Sequence, residues 1–501
     1  MSFLGIDVGT TGCKTCAFRQ DGTLLASAYR EYDFVAPKAG RAELDARVVW
    51  QEIKDSIAQV SAACAGDPVT ALSVSSLGEA MVPVSHDREI LGPSLLNFDE
   101  RGAEFLDDLG QRLDNSHLYR INGNTLGNHY GLTKLLWHQK HQPELWDHAH
   151  KFLLWGALVP YLLGAEAVVD YSLANRTLLL DVDAQDWSDE LMAWAGVDAS
   201  KLPDIAPSGT LIGQISKPMA EELGLSRNVA IVTGAHDQCS NALGAGVLGP
   251  GDALFGMGTF LCASPVFDER REPEAMIPHG LNTEQHAAPG RFLTFIYNQA
   301  GCLVKWYRDT FAAAEHRAAQ ETGEDLYPRL FAEMPENPAE VTVLPHFTTT
   351  GPPEFVSDSS GVMVGLRLET KRGEILRGIL EGSVFYIRDC LERAHQVGID
   401  VSRFCAVGGG SKSDTWLQMS ADILKTRLVR PKQTEAGALG AAMLAAVGTQ
   451  AFASVEEAVD SMVVPDRAFE PRSEISKQYE SYFERYRKLW PLLKGYLQNW
   501  P

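Results

Sequence analysis

The chain opens with an apolar run from Phe3 that meets an acid at Asp7, followed by strand-like runs over 13–18 and 23–30. Gln20-Asp21-Gly22 separates the last two runs, and Asp-Gly between strand-like segments is a strong hairpin signal, so the pattern predicts an antiparallel three-strand meander. A helical period follows at 45–62, then strands at 69–76 and around 79–84, with a turn at His86-Asp87-Arg88-Glu89. Strand, helix and strand in that order indicate a mixed α/β layer. Residues 130–195 read as mostly helical, with Leu132, Leu135, Leu136, Trp146, Phe152 and Trp155 as packing residues. The segment 227–246 predicts a strand broken at Gly234, the acid Asp237, and a small-residue helix. Past a glycine-rich hinge at 246–251, residues 252–268 repeat the opening logic of strand, Gly-x-Gly-Thr turn and strand, which suggests an internal duplication. A long amphipathic helix is expected at 374–396, with Ile375, Leu376, Ile379, Leu380, Val384 and Ile387 on one face. A strand at 404–410 then leads into a helix at 414–425.

With 501 residues the chain exceeds the size of a single core, so two domains are expected, 1–246 and 247–501. The apolar runs at 152–164 and 438–448 fall short of a bilayer span and predict buried helices; no membrane contact is expected. Hydrophobic residues at 45% and charged residues at 22% argue for folded halves. A net charge of -21 repels nucleic acid and anionic membranes. The first strand begins too early to leave room for a signal peptide, so a cytoplasmic location is expected. Eight cysteines without paired spacing predict reduced thiols, and Cys13-x-x-Cys16 lacks the further ligands a metal would need.

Four stretches share one design, a strand ending in glycines or hydroxyls where free backbone N–H groups can hold phosphate oxygens: 7–14 (DVGTTGCK), 234–238 (GAHDQ), 256–260 (GMGTF) and 408–414 (GGGSKSD). None fits the P-loop spacing or the dinucleotide fingerprint, so phosphate binding takes another form.

Taken in order, these stretches resemble the FGGY carbohydrate kinases of the sugar-kinase, actin and Hsp70 superfamily, together with the helix RGILEGSVFYIRD at 377–389 and GGGSKSDTWLQMSADIL at 408–424. The resemblance covers nearly the whole chain. It implies two actin-like, ribonuclease H-like α/β domains flanking a catalytic cleft, ATP and Mg²⁺ as cofactors, and phosphoryl transfer to a small sugar. Asp237 would accept the proton of the attacking hydroxyl, and Asp7 would hold Mg²⁺. Thr10, Thr11 and Lys14 would neutralise the terminal phosphates, with Gly258 and Thr259 clamping them from the other domain. Gly409 and Gly410 would let the backbone approach adenine, with Asp414 near its edge. The alternative duty for Asp237 is a helix N-cap.

In the sugar pocket the chain departs from its better-known relatives. Where xylulokinases carry Met-His and glycerol kinases Arg-Glu, this sequence has Gly78-Glu79. Glu79 could accept bonds from two sugar hydroxyls, and Asp99 either lines the sugar site or pairs with Arg101. His236 and His346 are further cleft candidates. No cation lies near Glu79 in sequence, which weighs against a carboxylate substrate such as gluconate. The leading expectation is a xylulokinase-like enzyme acting on a primary hydroxyl of a ketopentose. Kinases for ribulose, erythritol, glycerol or gluconate are the alternatives, as is a non-catalytic ATP-binding switch of the actin and Hsp70 type. A homodimer is the assembly such kinases commonly adopt, although no exposed apolar stripe marks an interface.

Overall fold

A computed structural model describes residues 1–498. The first sheet contains β1 (Ser2–Val8), β2 (Gly12–Arg19), β3 (Leu24–Glu31), β4 (Val69–Ser76), β5 (Leu211–Gln214), β6 (Ala230–Val232) and β7 (Ala235–His236). Its order is β5-β6-β4-β1-β2-β3, with β7 beside the end of β4. β1 is antiparallel to β2 and parallel to β4, and the register sets Asp7 opposite Lys14 on one side and Ser75 on the other.

The second sheet contains β8 (Gly251–Met257), β9 (Phe260–Phe267), β10 (Glu284–Gln285), β11 (Phe292–Leu293), β12 (Ile296–Gln299), β13 (Val401–Val407), β14 (Arg427–Pro431) and β15 (Pro465–Phe469). β8 is antiparallel to β9 and parallel to β13, the same unit as β1 with β2 and β4. The duplication read from the sequence is therefore present in the topology.

The principal helices are α1 (Ala46–Ala63), α2 (Trp155–Leu163), α3 (Asp237–Gly244), α4 (Arg372–Gln396), α5 (Asp414–Leu424), α6 (Ala436–Gly448) and α7 (Ser473–Leu497). Asp45 caps α1 by accepting from the N–H groups of Arg47 and Val48. α6 is apolar on every side, and its residues from Ala436 to Ala446 are all buried. It packs on β1, β4 and α3, so a helix from the second half of the chain lies against the first sheet. Small residues permit this approach: a Cβ on Gly5 would lie 3.1 Å from the Ala438 Cα, and one on Gly440 3.1 Å from the Ser240 Cα. One apolar core fills each half, and a third, including Phe3, Phe18, Leu243, Leu254, Leu439 and Leu444, joins them.

Three sequence expectations are corrected. α4 is not amphipathic, because from Leu376 to Arg388 its residues are buried all round. Gly378 and Gly382 lie against the backbone at Val341 and Val343, while Arg377 pairs with Glu381 at 2.7 Å and meets the Tyr479 hydroxyl of α7 at 2.8 Å. A helix sandwiched between layers carries no polar face to read. The apolar run at 152–164 divides into the strand Lys151–Leu154 and α2, and residues 130–195 hold further short strands at Val168–Asp170, Leu180–Asp181 and Asp186–Trp187. Bulky apolar residues fit a buried strand as well as a buried helix. Among the described residues no helix is long and apolar enough to cross a membrane, and all eight cysteines are free thiols.

Candidate active site

The sheet register builds the first cluster. Ser75 Oγ donates to Asp7 Oδ1 at 2.6 Å, and Lys14 reaches Glu435, the residue before α6, at 2.6 Å. Burial pushes the Asp7 carboxyl up to about 6; the Ser75 bond opposes this, and the charges of Asp237 and Glu435 add to it. Asp7 thus lies within reach of the charges of Asp237, Glu435 and Lys14, with Lys14 paired to Glu435. The face of α6 above Asp7 is bare backbone, and a Cβ on Gly437 would come within 2.9 Å of Asp7 Oδ2.

Asp237 is the first residue of α3, and the capping position belongs to His236, so the N-cap reading of this acid does not hold. Asp237 Oδ1 is buried and hydrogen-bonded to no described residue, although His236 Nε2 stands 3.2 Å away. The side chain keeps 29% exposure, which falls on the remainder of the carboxylate. Burial first and the Asp237 charge second push the Cys262 thiol on β9 up to about 12, so the acid lies within electrostatic reach of the second sheet.

The turns that end β8 and β13 lie together, with a Cβ on Gly408 falling 2.9 Å from the Met257 carbonyl oxygen. Gly258 and Thr259 are exposed, and the Thr259 carbonyl accepts from the N–H groups of Ala300 and Cys302. Gly409 faces open space, whereas Gly410 packs against Trp416. Thr10 and Thr11 sit in the β1–β2 turn, which is closed by the Gly9 N–H to the Gly12 carbonyl at 2.9 Å. Neither threonine hydroxyl is bonded to a described residue.

Residues 2–244 match the N-terminal domain of the FGGY family of carbohydrate kinases, and residues 259–449 match its C-terminal domain. The chain belongs to the FGGY carbohydrate kinases. It is 28% identical over 491 residues to the xylulose kinase of Bacillus subtilis, covering 97% of this chain and 96% of that protein. It is 26% identical over 495 residues to a gluconokinase of Bacillus licheniformis, covering 98% and 94%. The structure of the xylulose kinase from Lactobacillus acidophilus superposes with a TM-score of 0.87 at 22% identity, with 98% of each chain covered. The two-domain FGGY architecture follows, as does sugar phosphotransferase activity; membership of a kinase family sets aside the non-catalytic switch.

Several residues expected in the site carry partners in the structure, most of which the sequence did not suggest. Glu79 is buried with a positive φ of 63°, and its Oε1 accepts from Arg176 Nε at 2.7 Å and also from Nη2. A cation does therefore lie beside Glu79, brought from 97 positions away. That corrects the ground on which gluconate was disfavoured. Arg176 is shared, however, since its Nη1 meets Glu284 at 3.0 Å.

Asp99 is fully buried and engaged by the Arg101 guanidinium and the N–H groups of Ala42 and Arg101, while Arg101 extends to Glu43 at 2.7 Å. Of the two roles left open for Asp99, the structure displays the structural pairing. Asp414 sits at the start of α5 with Ser413 as its cap, and it pairs with Arg430 at 2.8 Å and with Arg467. His346 is not in this cleft: it lines a separate cavity of about 270 Å³ with Tyr386 and Trp490. Arg176, Glu284 and Glu435 were missed because nothing local marks them. Each acts through a contact made by folding.

Proposed function

We propose that this carbohydrate kinase transfers the γ-phosphoryl group of ATP to a primary hydroxyl of a small neutral sugar, with xylulose the leading substrate. The observation that carries the reading is Asp237, an acid at the start of α3 that keeps part of its carboxylate exposed while its buried Oδ1 accepts no hydrogen bond from a described residue and stands 3.2 Å from His236 Nε2. Asp237 takes the proton as the sugar oxygen attacks phosphorus. Lys14, drawn away from Glu435, and the hydroxyls of Thr10 and Thr11 face the terminal phosphates. The exposed Gly258–Thr259 turn supports the phosphates from the opposite side, and open space at Gly409 supports a site for adenine. Gly410 is committed to Trp416, and Asp414 serves by tying this turn to Arg430 and Arg467.

The excess of carboxylate around Asp7, Asp237 and Glu435 suits a divalent cation, and Asp7 would hold Mg²⁺, which neutralises phosphate charge when bound. The division at 246–251 is read as the hinge between domains 1–246 and 247–501, and a cytoplasmic homodimer is the setting read for the enzyme.

Neutral sugars are favoured over aldonates because Arg176 already faces two carboxylates, Glu79 and Glu284. Coupled ADP release with Mg-ATP against ketopentoses, tetritols, glycerol and gluconate tests the reading, with one neutral sugar expected to respond most strongly. Gluconate as the best substrate would overturn the charge argument, and full activity in Asp237→Asn would overturn the base.

A further inference from the structure

Four buried ionisable groups and the partly exposed Asp237 form an unbroken array behind the pocket. Glu79 pairs with Arg176 at 2.7 Å, Arg176 with Glu284 at 3.0 Å, Glu284 with His236 Nδ1 at 2.7 Å, and His236 Nε2 stands 3.2 Å from Asp237. Glu284 is fully buried and comes from β10 of the second sheet, yet all its ionic partners belong to the first half of the chain. Its segment is fastened there. The Thr283 N–H donates to the Gly123 carbonyl at 2.7 Å, the Tyr119 hydroxyl meets Thr283 Oγ1 at 2.9 Å, and Gln285 Nε2 donates to the Val182 carbonyl at 3.0 Å. Phe295 closes one side, lying near both the His236 ring and the Arg176 guanidinium.

We infer that Glu284 and His236 are positioning residues for phosphoryl transfer: Glu284 holds Arg176 with one oxygen and His236 with the other, and His236 fixes the orientation of Asp237. The inference rests on Asp237 being the base. Three carboxylates and two cations alternate along the array, so a protonated His236 is held between two negative charges. Although burial opposes it, the charges of Glu284 and then Asp237 push His236 up to about 9. Arg176 acts the other way, Asp170 adds negative charge from the cap of the 171–175 helix, and the Cys239 thiol points at Glu284 from α3. Because its proton affinity is raised, the cation is complete well below that pH and is lost as pH rises through about 9.

A metal site competes for the same atoms, since the ligand atoms of His236, Cys239 and Glu284 converge. The array disfavours it: Glu284 already faces Arg176 and the imidazolium, and a metal ion would have to displace a proton beside a fixed guanidinium.

The test uses the full-length kinase with Mg-ATP and its best sugar, followed from about pH 6 to about pH 10. The wild-type kcat is expected to fall on the alkaline side near pH 9, the value to which His236 is raised. In His236→Gln that limb should disappear, with kcat lowered about tenfold and KM for ATP unchanged. In Glu284→Gln the limb should move to lower pH, because the strongest charge favouring the imidazolium is gone. Variants that keep the wild-type kcat and limb overturn the inference.

Should the variants not fold, NMR titration of histidine-labelled wild-type protein decides the matter. One imidazole still protonated near pH 8 should shift when sugar binds; absence of such a resonance counts against the array. Asp237→Asn separates the two readings: if it is inactive while His236→Gln behaves as wild type, the base stands and the positioning role fails.

Discussion

The contact between α3 and α6 fixes Asp237, the proposed base, and Gly440→Ala tests it. A Cβ on Gly440 would lie 2.9 Å from the Ser240 carbonyl carbon and 3.1 Å from its Cα. The new methyl group would also overlap the Ser240 carbonyl oxygen, its nearest neighbour, so the two helices must part by about 1 Å or more. Both contact faces are buried, and overpacking of this kind costs about 1–3 kcal/mol. Ser240 lies three positions beyond Asp237 on α3, so the displacement moves the base. Misplacement of a reacting group by about 1 Å lowers rates by as much as 10²-fold, which sets the expected loss of kcat at about 10- to 100-fold, or roughly 1.4–2.7 kcal/mol in the barrier. Coupled ADP release at saturating sugar and nucleotide measures the loss, and a thermal melt reports the destabilisation. Gly66→Ala, at a glycine whose Cβ would meet no atom within 4 Å, is the matched control and should leave both unchanged. Wild-type kcat and melting temperature in Gly440→Ala would refute the claim that this helix pair sets the position of Asp237.

Three further outcomes follow from individual sites. Gly409→Ala should fold normally, since the new methyl group enters open space, yet raise KM for ATP about tenfold by occupying the proposed nucleotide surface; an unchanged KM in initial-rate assays would move adenine elsewhere. Asp99→Asn should destabilise the protein by about 3–5 kcal/mol in denaturant unfolding, because it leaves the Arg101 guanidinium short of its buried partner, while KM for sugar stays constant. Burial holds His138, His286 and His346 neutral, each lowered to about 4. Unfolded histidines bind protons near pH 6.5, so stability is complete above that pH and is lost as pH falls through about 4; melting curves at stepped pH check the slope.

The strand–turn–strand signals were legible because they are local. Asp-Gly at 21–22, with Gly22 at φ 77°, makes the turn between β2 and β3, and the apolar run at 69–76 and the glycines at 256 and 258 mark β4 and the end of β8 from nearby residues alone. α4 was legible as a helix but not as a buried one, since Arg377 and Glu381 pair with each other and with the Tyr479 hydroxyl rather than with water. The site divides in the same way. Asp7, Lys14 and Ser75 meet because the register of two adjacent strand pairs aligns them, which a strand reading of 3–7, 13–18 and 69–76 nearly contains. Glu435 and Glu284 reach the first half only after α6 and β10 dock on it, at sequence separations of 421 residues from Lys14 and 48 from His236.

That docking bears on how the halves can move. A hinge at 246–251 would ordinarily let two domains open freely, but α6 is held against β1 and α3 by backbone-close contacts, and the 282–286 segment is bonded to residues near 119–124 and 182. Any opening about the proposed hinge would therefore have to leave these attachments in place, with the proposed nucleotide turns at Gly258 and Gly409 the parts free to move against Asp7 and Asp237. Closure of this kind would bring the proposed phosphate turns to a proposed base that the array already orients, and would exclude water from the transfer. The array and the cleft thus have different tolerances: the cleft can open to exchange ligands, whereas parting Glu284 from Arg176 and His236 would leave buried charges without partners.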